Sequence, residues 1–170
     1  MVLIPPKDFR DESMASIKLF LDKWSVPYDI ATYGLKDCVG SHGAVYKPNL
    51  DANKVAVQDY SGMLLVDGEG IDTFKLYDYR PLLDLVVRFN SNSKIIGAVG
   101  NAQKIIARAN IIKDKRMAAP QDEEIRRLVL LFRGVPSENG FEISGNIFTV
   151  RSQDQLQEGM QGVLSYLGVF

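Results

Sequence analysis

The chain has 170 residues, a length that fits one domain and suffices to bury a sizeable core. Apolar residues make up 46% and charged residues 24%, which excludes disorder as the main state. A net charge of −1 without a basic stripe argues against nucleic acid as a partner, one cysteine excludes an internal disulfide, and one histidine excludes a His-rich metal site.

In chain order, Val2–Ile4 is a short apolar run closed by Pro5 and Pro6, and reads as a buried strand. From Ser13 to Trp24 the apolar residues Met14, Ile17, Leu19, Phe20, Leu21 and Trp24 recur at helical spacing. Pro27 stops that helix, and Tyr28–Thr32 reads as a second strand. Lys36 to Tyr46 is extended and punctuated by glycine, a hairpin or edge segment. Gly62–Val66 is a buried strand that runs into the glycine-rich loop Asp67–Gly70. Tyr79–Phe89 is an amphipathic helix, Lys94–Val99 the next buried strand, and Asn101–Ile112 and Asp122–Phe132 two further helices. Phe141–Ser144 and Ile147–Arg151 are strands joined at Gly145-Asn146, a short-turn signal. The last helix spans about Asp154 to Leu167. No apolar run approaches the roughly 20 residues of a membrane span, and the opening residues lack the charged and apolar regions of a leader. A cytoplasmic, reducing location is expected, with no membrane partner.

Strands that alternate with helices imply a mostly parallel sheet covered on both faces. The expected fold is α/β, a flavodoxin-like three-layer sandwich formed by one domain over residues 1–170. In such sheets ligands sit beyond the carboxyl ends of the strands, where the strand order reverses. Two loops leave strands of that kind, Asp67–Gly70 and Gly100-Asn101. At the second, the strand passes through one residue directly into a helix. Such an elbow holds its apical residue in strained geometry so that a side chain projects over the sheet end. A cysteine there would be activated by the helix N-terminus. This chain has Gly100.

The elbow and several flanking segments resemble the ThiJ/PfpI family, relatives of the class I glutamine amidotransferases that include protein deglycase-like members. Gly40-Ser41-His42-Gly43 resembles the family's G-S-H-G segment. Asp59 to Gly68 resembles D-Y-D-A-L-V-L-P-G, Ile111 to Arg116 resembles L-L-K-G-R-R, and Ser144 to Arg151 resembles D-G-N-L-I-T-S-R. These matches run in order along nearly the whole chain. The departures fall where the family does its chemistry. Its nucleophilic cysteine matches Gly100 and the following histidine matches Asn101. The glycine pair whose backbone faces the nucleophile matches Gly68 and Glu69. The family's acidic residue after the first strand matches Arg10, or with a short shift Asp11 or Glu12.

The resemblance therefore implies a fold without the expected cysteine chemistry: a non-catalytic relative that binds a small molecule or serves assembly, with itself as partner in a homodimer. Glycine takes positive φ without steric cost and asparagine opens helices well, so the turn survives the loss of the thiol. The pocket candidates are Arg10, Asp11, Glu12, Asp67, Gly68, Glu69, Gly100, Asn101 and Gln103, with no cofactor and no metal expected. Arg10 is expected to anchor an anion or to pair with Glu69. The alternative is a hydrolase or lyase acting through Asp67, Glu69 and Glu12, or through a cation they bind. Cys38 and His42 lie four apart on an extended segment, some 13 Å, too far to pair as a dyad. Cys38 is therefore expected as an ordinary buried or edge thiol. The basic groups Lys113–Arg116 and Arg126-Arg127 read as solvated faces, and Pro136–Gly140 as a turn.

Overall fold

The structure, a computed structural model, describes residues 1–169. In chain order its strands and helices are β1 (Val2–Leu3), β2 (Lys7–Phe9), α1 (Asp11–Lys23), β3 (Ile30–Thr32), β4 (Cys38–Gly40), β5 (Val45–Tyr46) and β6 (Leu50–Asp51). There follow β7 (Gly62–Leu65), α2 (Gly70–Thr73), α3 (Arg80–Ser91), β8 (Ile95–Val99), α4 (Gln103–Arg108) and β9 (Arg116–Met117). The chain closes with α5 (Glu123–Leu131), β10 (Val135–Pro136), β11 (Phe141–Ser144), β12 (Ile147–Val150) and α6 (Leu156–Tyr166).

Seven strands form the central sheet in the order β11-β12-β8-β7-β1-β3-β6. All neighbours are parallel except the hairpin β11–β12. From β1 the chain first winds outward through β3 and β6. It then returns to the other flank of β1 with β7, so the order reverses between β1 and β7. The period-2 alternation of strands sorts side chains to two cores. Leu3, Met63, Leu65, Ile96 and Ala98 face a core shared with α3, α4 and α5. Val2, Ile4, Val66, Val99 and Val150 face a core shared with α1 and α6. This is the flavodoxin-like three-layer arrangement that the alternating pattern implied.

Helix α3 shows how the sequence positions a layer. Leu82, Leu85, Val86 and Phe89 recur at helical spacing and all are fully buried. Each contributes roughly 1.5–3 kcal/mol of burial. Pro81 stands in its first turn, where a missing N–H costs nothing.

Three differences from the sequence reading have physical causes. The helix expected over 101–112 is shorter. Gly100–Ala102 forms a 3₁₀ turn, α4 covers only Gln103–Arg108, and Asn110 ends it at φ +60°. Asparagine tolerates the left-handed conformation that closes helices. Two small sheets, β2-β4-β5 and β9-β10, have strands too short for a periodicity to declare. Helix α1 begins two residues earlier than its apolar pattern, because Asp11 and Glu12 favour its N-terminal turn. No helix among the described residues is long and apolar enough to cross a membrane.

Candidate functional site

The elbow lies at the carboxyl end of β8, where Ile95–Val99 are all buried. Gly100 follows at φ +52°, a conformation that costs other residues about 1 kcal/mol or more. Space is limiting as well as backbone. A Cβ added at Gly100 would stand 2.8 Å from Asp67 Oδ2 and 3.2 Å from Asp67 Cβ. The Asp67 carboxylate thus fills the room that an apical side chain would need.

Asp67 is placed by its own loop. Gly68 adopts φ +144°, and a Cβ there would overlap the Asp8 carbonyl oxygen. A Cβ at Gly70 would overlap the Lys7 carbonyl oxygen. The two glycines exist so that the β2 backbone can cross directly over the loop after β7. That crossing is fastened by the Arg10 N–H, which donates to the Asp67 carbonyl at 2.8 Å. It also delivers the Arg10 side chain, whose Nε lies 3.2 Å from Asp67 Oδ2. Asp67 is only 5% exposed. Burial pushes its carboxyl above the ordinary carboxylate value, against the opposing pull of the Ser13 hydroxyl and the Arg10 guanidinium. Oδ1 has no hydrogen-bond partner among the described residues.

Asn101 faces the same loop and makes a two-point clamp on Gly68. Its Oδ1 accepts from the Gly68 N–H at 3.1 Å, and its Nδ2 donates to the Gly68 carbonyl at 2.8 Å. Nδ2 also reaches Asp72 Oδ2 at 3.3 Å. The N–H that could face a reacting atom is therefore already engaged. Behind it, the buried Lys104 ammonium pairs with Asp72 at 2.8 Å and with Glu124 at 3.1 Å. Burial lowers the Lys104 pKa, but these two carboxylates outweigh it and hold the amine charged.

Several candidates read from the sequence stand elsewhere. Asp11 does not enter the cleft. Its carboxylate accepts from the His42 N–H at 3.1 Å and the Ala44 N–H at 2.9 Å, and so closes the turn between β4 and β5. A Cβ at Gly40 would overlap that carboxylate, which is why the hairpin carries glycine there. Glu12 also turns to the hairpin, with Oε1 2.9 Å from His42 Nδ1. Asp67, Glu69 and Glu12 therefore do not converge, and among the described residues no three His, Cys, Asp or Glu side chains are placed to hold a metal ion together. Of the three alternatives after the first strand, Arg10 alone lines the cleft, paired with Asp67 rather than with Glu69. Gln103 is fully buried beneath the elbow rather than in the cleft. Its Nε2 donates to the carbonyls of Ala118 at 2.8 Å and Val150 at 3.1 Å, because a side chain at the start of α4 points back under the sheet end. Cys38 is buried, and burial pushes its thiol up.

The cleft so formed has a volume of about 300 Å³. Its lining includes Arg10, Asp67, Gly68, Glu69, Asp72, Gly100 and Asn101. The opposite wall comes from Pro120, Asp122, Ile125, Arg151 and Ser152, none of which the sequence reading placed there. Asp122 carried a usable signal, since an aspartate before an apolar helix is an N-cap, and its side chain accepts from the Ile125 N–H. Arg151 follows β12, far along the chain, and no local pattern placed it in the cleft. Arg126, read as a solvated residue, is instead pinned behind Pro120. Its Nε donates to the Pro120 carbonyl at 3.2 Å and its Nη1 lies 3.1 Å from Glu138. A second cavity of about 210 Å³ lies at the other end of the sheet, lined mainly by apolar side chains such as Leu21, Val26, Leu64 and Val163. Shifted groups occur at both places: at the second cavity burial lowers the Met1 ammonium pKa to about 6, and at the elbow cleft burial raises the Asp67 carboxyl.

A parallel sheet whose first, second and third central strands each send one loop to a common cleft, with a positive-φ elbow among them, defines the elbow-bearing class of flavodoxin-like folds. The chain belongs to the DJ-1/PfpI family, whose sequence model matches residues 1–163. Its structure superimposes on a ThiJ/PfpI domain protein from Brachyspira murdochii with a TM-score of 0.92 at 19% identity, over 99% of this chain and 95% of that one. Drosophila melanogaster DJ-1beta gives a TM-score of 0.83 at 15% identity, over 99% and 90%. In sequence the chain is 28% identical over 161 residues to an uncharacterised protein of Methanocaldococcus jannaschii, covering 91% of this chain and 75% of that protein.

Proposed function

We propose that this chain is a DJ-1/PfpI relative without cysteine chemistry, and that its elbow cleft serves to bind a small molecule. The observation that carries the reading is Asp67 Oδ2, which lies 2.8 Å from where a Cβ of residue 100 would stand. A nucleophile is not merely missing; its place is taken. Two neighbours support the same reading. Asn101 engages the Gly68 N–H, and Arg10 stands where the resemblance allowed a carboxylate. Cys38 does not substitute, since it is buried and its thiol is raised rather than activated. The expectation of a cytoplasmic homodimer belongs to this proposal. Val39 and Val45, paired across the β4–β5 hairpin and exposed, give a second copy an apolar edge to cover.

Turnover of methylglyoxal and of a peptide substrate by the purified protein tests the reading, with and without a thiol-blocking reagent. No turnover is expected in the parent. Gly100→Cys is expected to stay inactive because its side chain meets Asp67. Turnover in the parent that the reagent abolishes would overturn the proposal. Sedimentation of the same sample at micromolar concentration tests the dimer, and a monomer at all concentrations would remove that part.

A further inference from the structure

We infer that the elbow cleft is a carboxylate-binding site, built to take a small singly charged organic acid on the Arg10 and Arg151 guanidinium groups. The inference rests on the proposed binding role of that cleft and names its ligand class. Arg10 is the main observation. Its Nε is tied to Asp67, a carboxylate that is nearly all buried and that is itself fixed by the β2 crossing. The Nη groups of Arg10 have no acceptor among the described residues, and half of the side chain is exposed in the cleft. A guanidinium anchored at Nε and open along its Nη edge is oriented before any ligand arrives. Its planar fork matches the two oxygens of a carboxylate.

The facing wall has the same imbalance of donors over acceptors. Arg151 is held by its Nη2, which donates to the Ser137 carbonyl at 3.0 Å. Its Nε is buried and has no acceptor among the described residues. Behind Pro120, Arg126 Nη2 is likewise buried without one. Glu138 serves both arginines, at 3.1 Å from Arg126 and 3.9 Å from Arg151, and so is shared rather than sufficient. These buried donors are closed to a ligand, and what Arg151 offers the cleft is the exposed fifth of its side chain.

The acids of the cleft set the ligand's charge. Glu69, Asp72 and Asp122 line it as well, and only Asp72 is neutralised directly, by Lys104. A phosphate dianion would meet the uncompensated Glu69 and Asp122 with twice the charge of a carboxylate, and so is disfavoured more strongly. A volume of about 300 Å³ sits at the small end of ligand sites and suits a small acid.

The experiment is an amide NMR titration of the full chain with sodium acetate, sodium glycolate and inorganic phosphate, each against sodium chloride at matched ionic strength. The expected result is saturable shifts of the Gly68, Gly100 and Asn101 amides with the two carboxylates, and binding of phosphate weaker by at least about tenfold. Arg10→Gln should weaken acetate by at least about tenfold, Arg10→Lys should restore part of it, and Glu69→Gln should tighten it several-fold. The Glu69 carboxylate is exposed and has no partner among the described residues, so this last variant reads the site even if Arg10→Gln disturbs folding. Absence of saturable shifts with both carboxylates, phosphate binding as tight as acetate, or an acetate affinity unmoved by both Arg10→Gln and Glu69→Gln would each overturn the inference. The turnover assay on the same samples separates the two claims. An inactive protein that binds no carboxylate refutes only the ligand class, and an active one refutes the reading beneath it.

Discussion

Two carboxylates in this protein each lie against a glycine, and they are treated in opposite ways. Asp11 sits over Gly40 and accepts two backbone N–H groups, those of His42 and Ala44. Burial is the largest single influence and raises its pKa, but the bonds from Ala44 and His42 together outweigh it and the carboxyl titrates below its ordinary value. Asp67 sits over Gly100, is far more buried, keeps one oxygen without a partner, and titrates above its ordinary value. The hairpin uses its acid as a fastening. The elbow holds its acid at a cost, and such costs concentrate where a site is kept for something other than stability.

The largest test of this contrast is Gly70→Ala. The added methyl would overlap the Lys7 carbonyl, which is backbone and cannot swing aside. A loss of about 3 kcal/mol is expected in urea unfolding, together with displacement of Arg10 from Asp67. A loss under about 1 kcal/mol would mean that the β2 crossing is not what positions the cleft. Next comes Asn101→Ala, which leaves the Gly68 N–H without a partner and its carbonyl with only the Ile71 N–H, and should cost about 2 kcal/mol. Hydrogen exchange at the Gly68 amide should accelerate in that variant, and unchanged protection would remove the clamp.

Smaller, but more direct, is the pH dependence of Asp11→Asn against Asp67→Asn. Asp11 contributes stability above its unfolded value of 3.8 and loses it as the pH falls through its lower folded value. Asp11→Asn should therefore cost about 1 kcal/mol at neutral pH, and the deficit should shrink in acid. Asp67 runs the other way. Its raised folded pKa favours the folded state below the unfolded value of 3.8 and penalises it as the pH rises through the folded value. Asp67→Asn should therefore gain on the parent as the pH rises, ending within about 1 kcal/mol of it at neutral pH after the Arg10 pair is lost. Two variants with pH slopes of the same sign would abolish the contrast.

Much of the fold was legible because its central strands are apolar runs bounded by proline or glycine. Ile95–Val99 and Gly62–Leu65 needed no partner to be read. The two-residue strands were not legible, since alternation has no meaning over that length. At the site, the empty apex was readable from Gly100 alone, but what filled it was not. Asp67 looked like a loop acid until the crossing of β2 buried it. The choice among Arg10, Asp11 and Glu12 was decided by a glycine thirty residues away, because Gly40 leaves room for Asp11 and so turns Arg10 into the cleft. Gln103 misled because an amide at a helix start reads alike whether it faces solvent or two buried carbonyls. Arg151 belongs to the site only through the return of β11 and β12 to the sheet.

The Asp67 carboxylate over Gly100 also constrains how this sequence can change. A single substitution that returns a side chain to position 100 meets both a left-handed backbone and an occupied space, so it is penalised before it confers anything. Removing Asp67 first strands the Arg10 guanidinium, and removing Asn101 first loosens the Gly68 peptide. Each of these first steps disturbs a contact that the elbow uses, and a side chain at position 100 waits on at least a second. On the reading proposed above, the elbow admits a side chain at position 100 only together with a second change nearby.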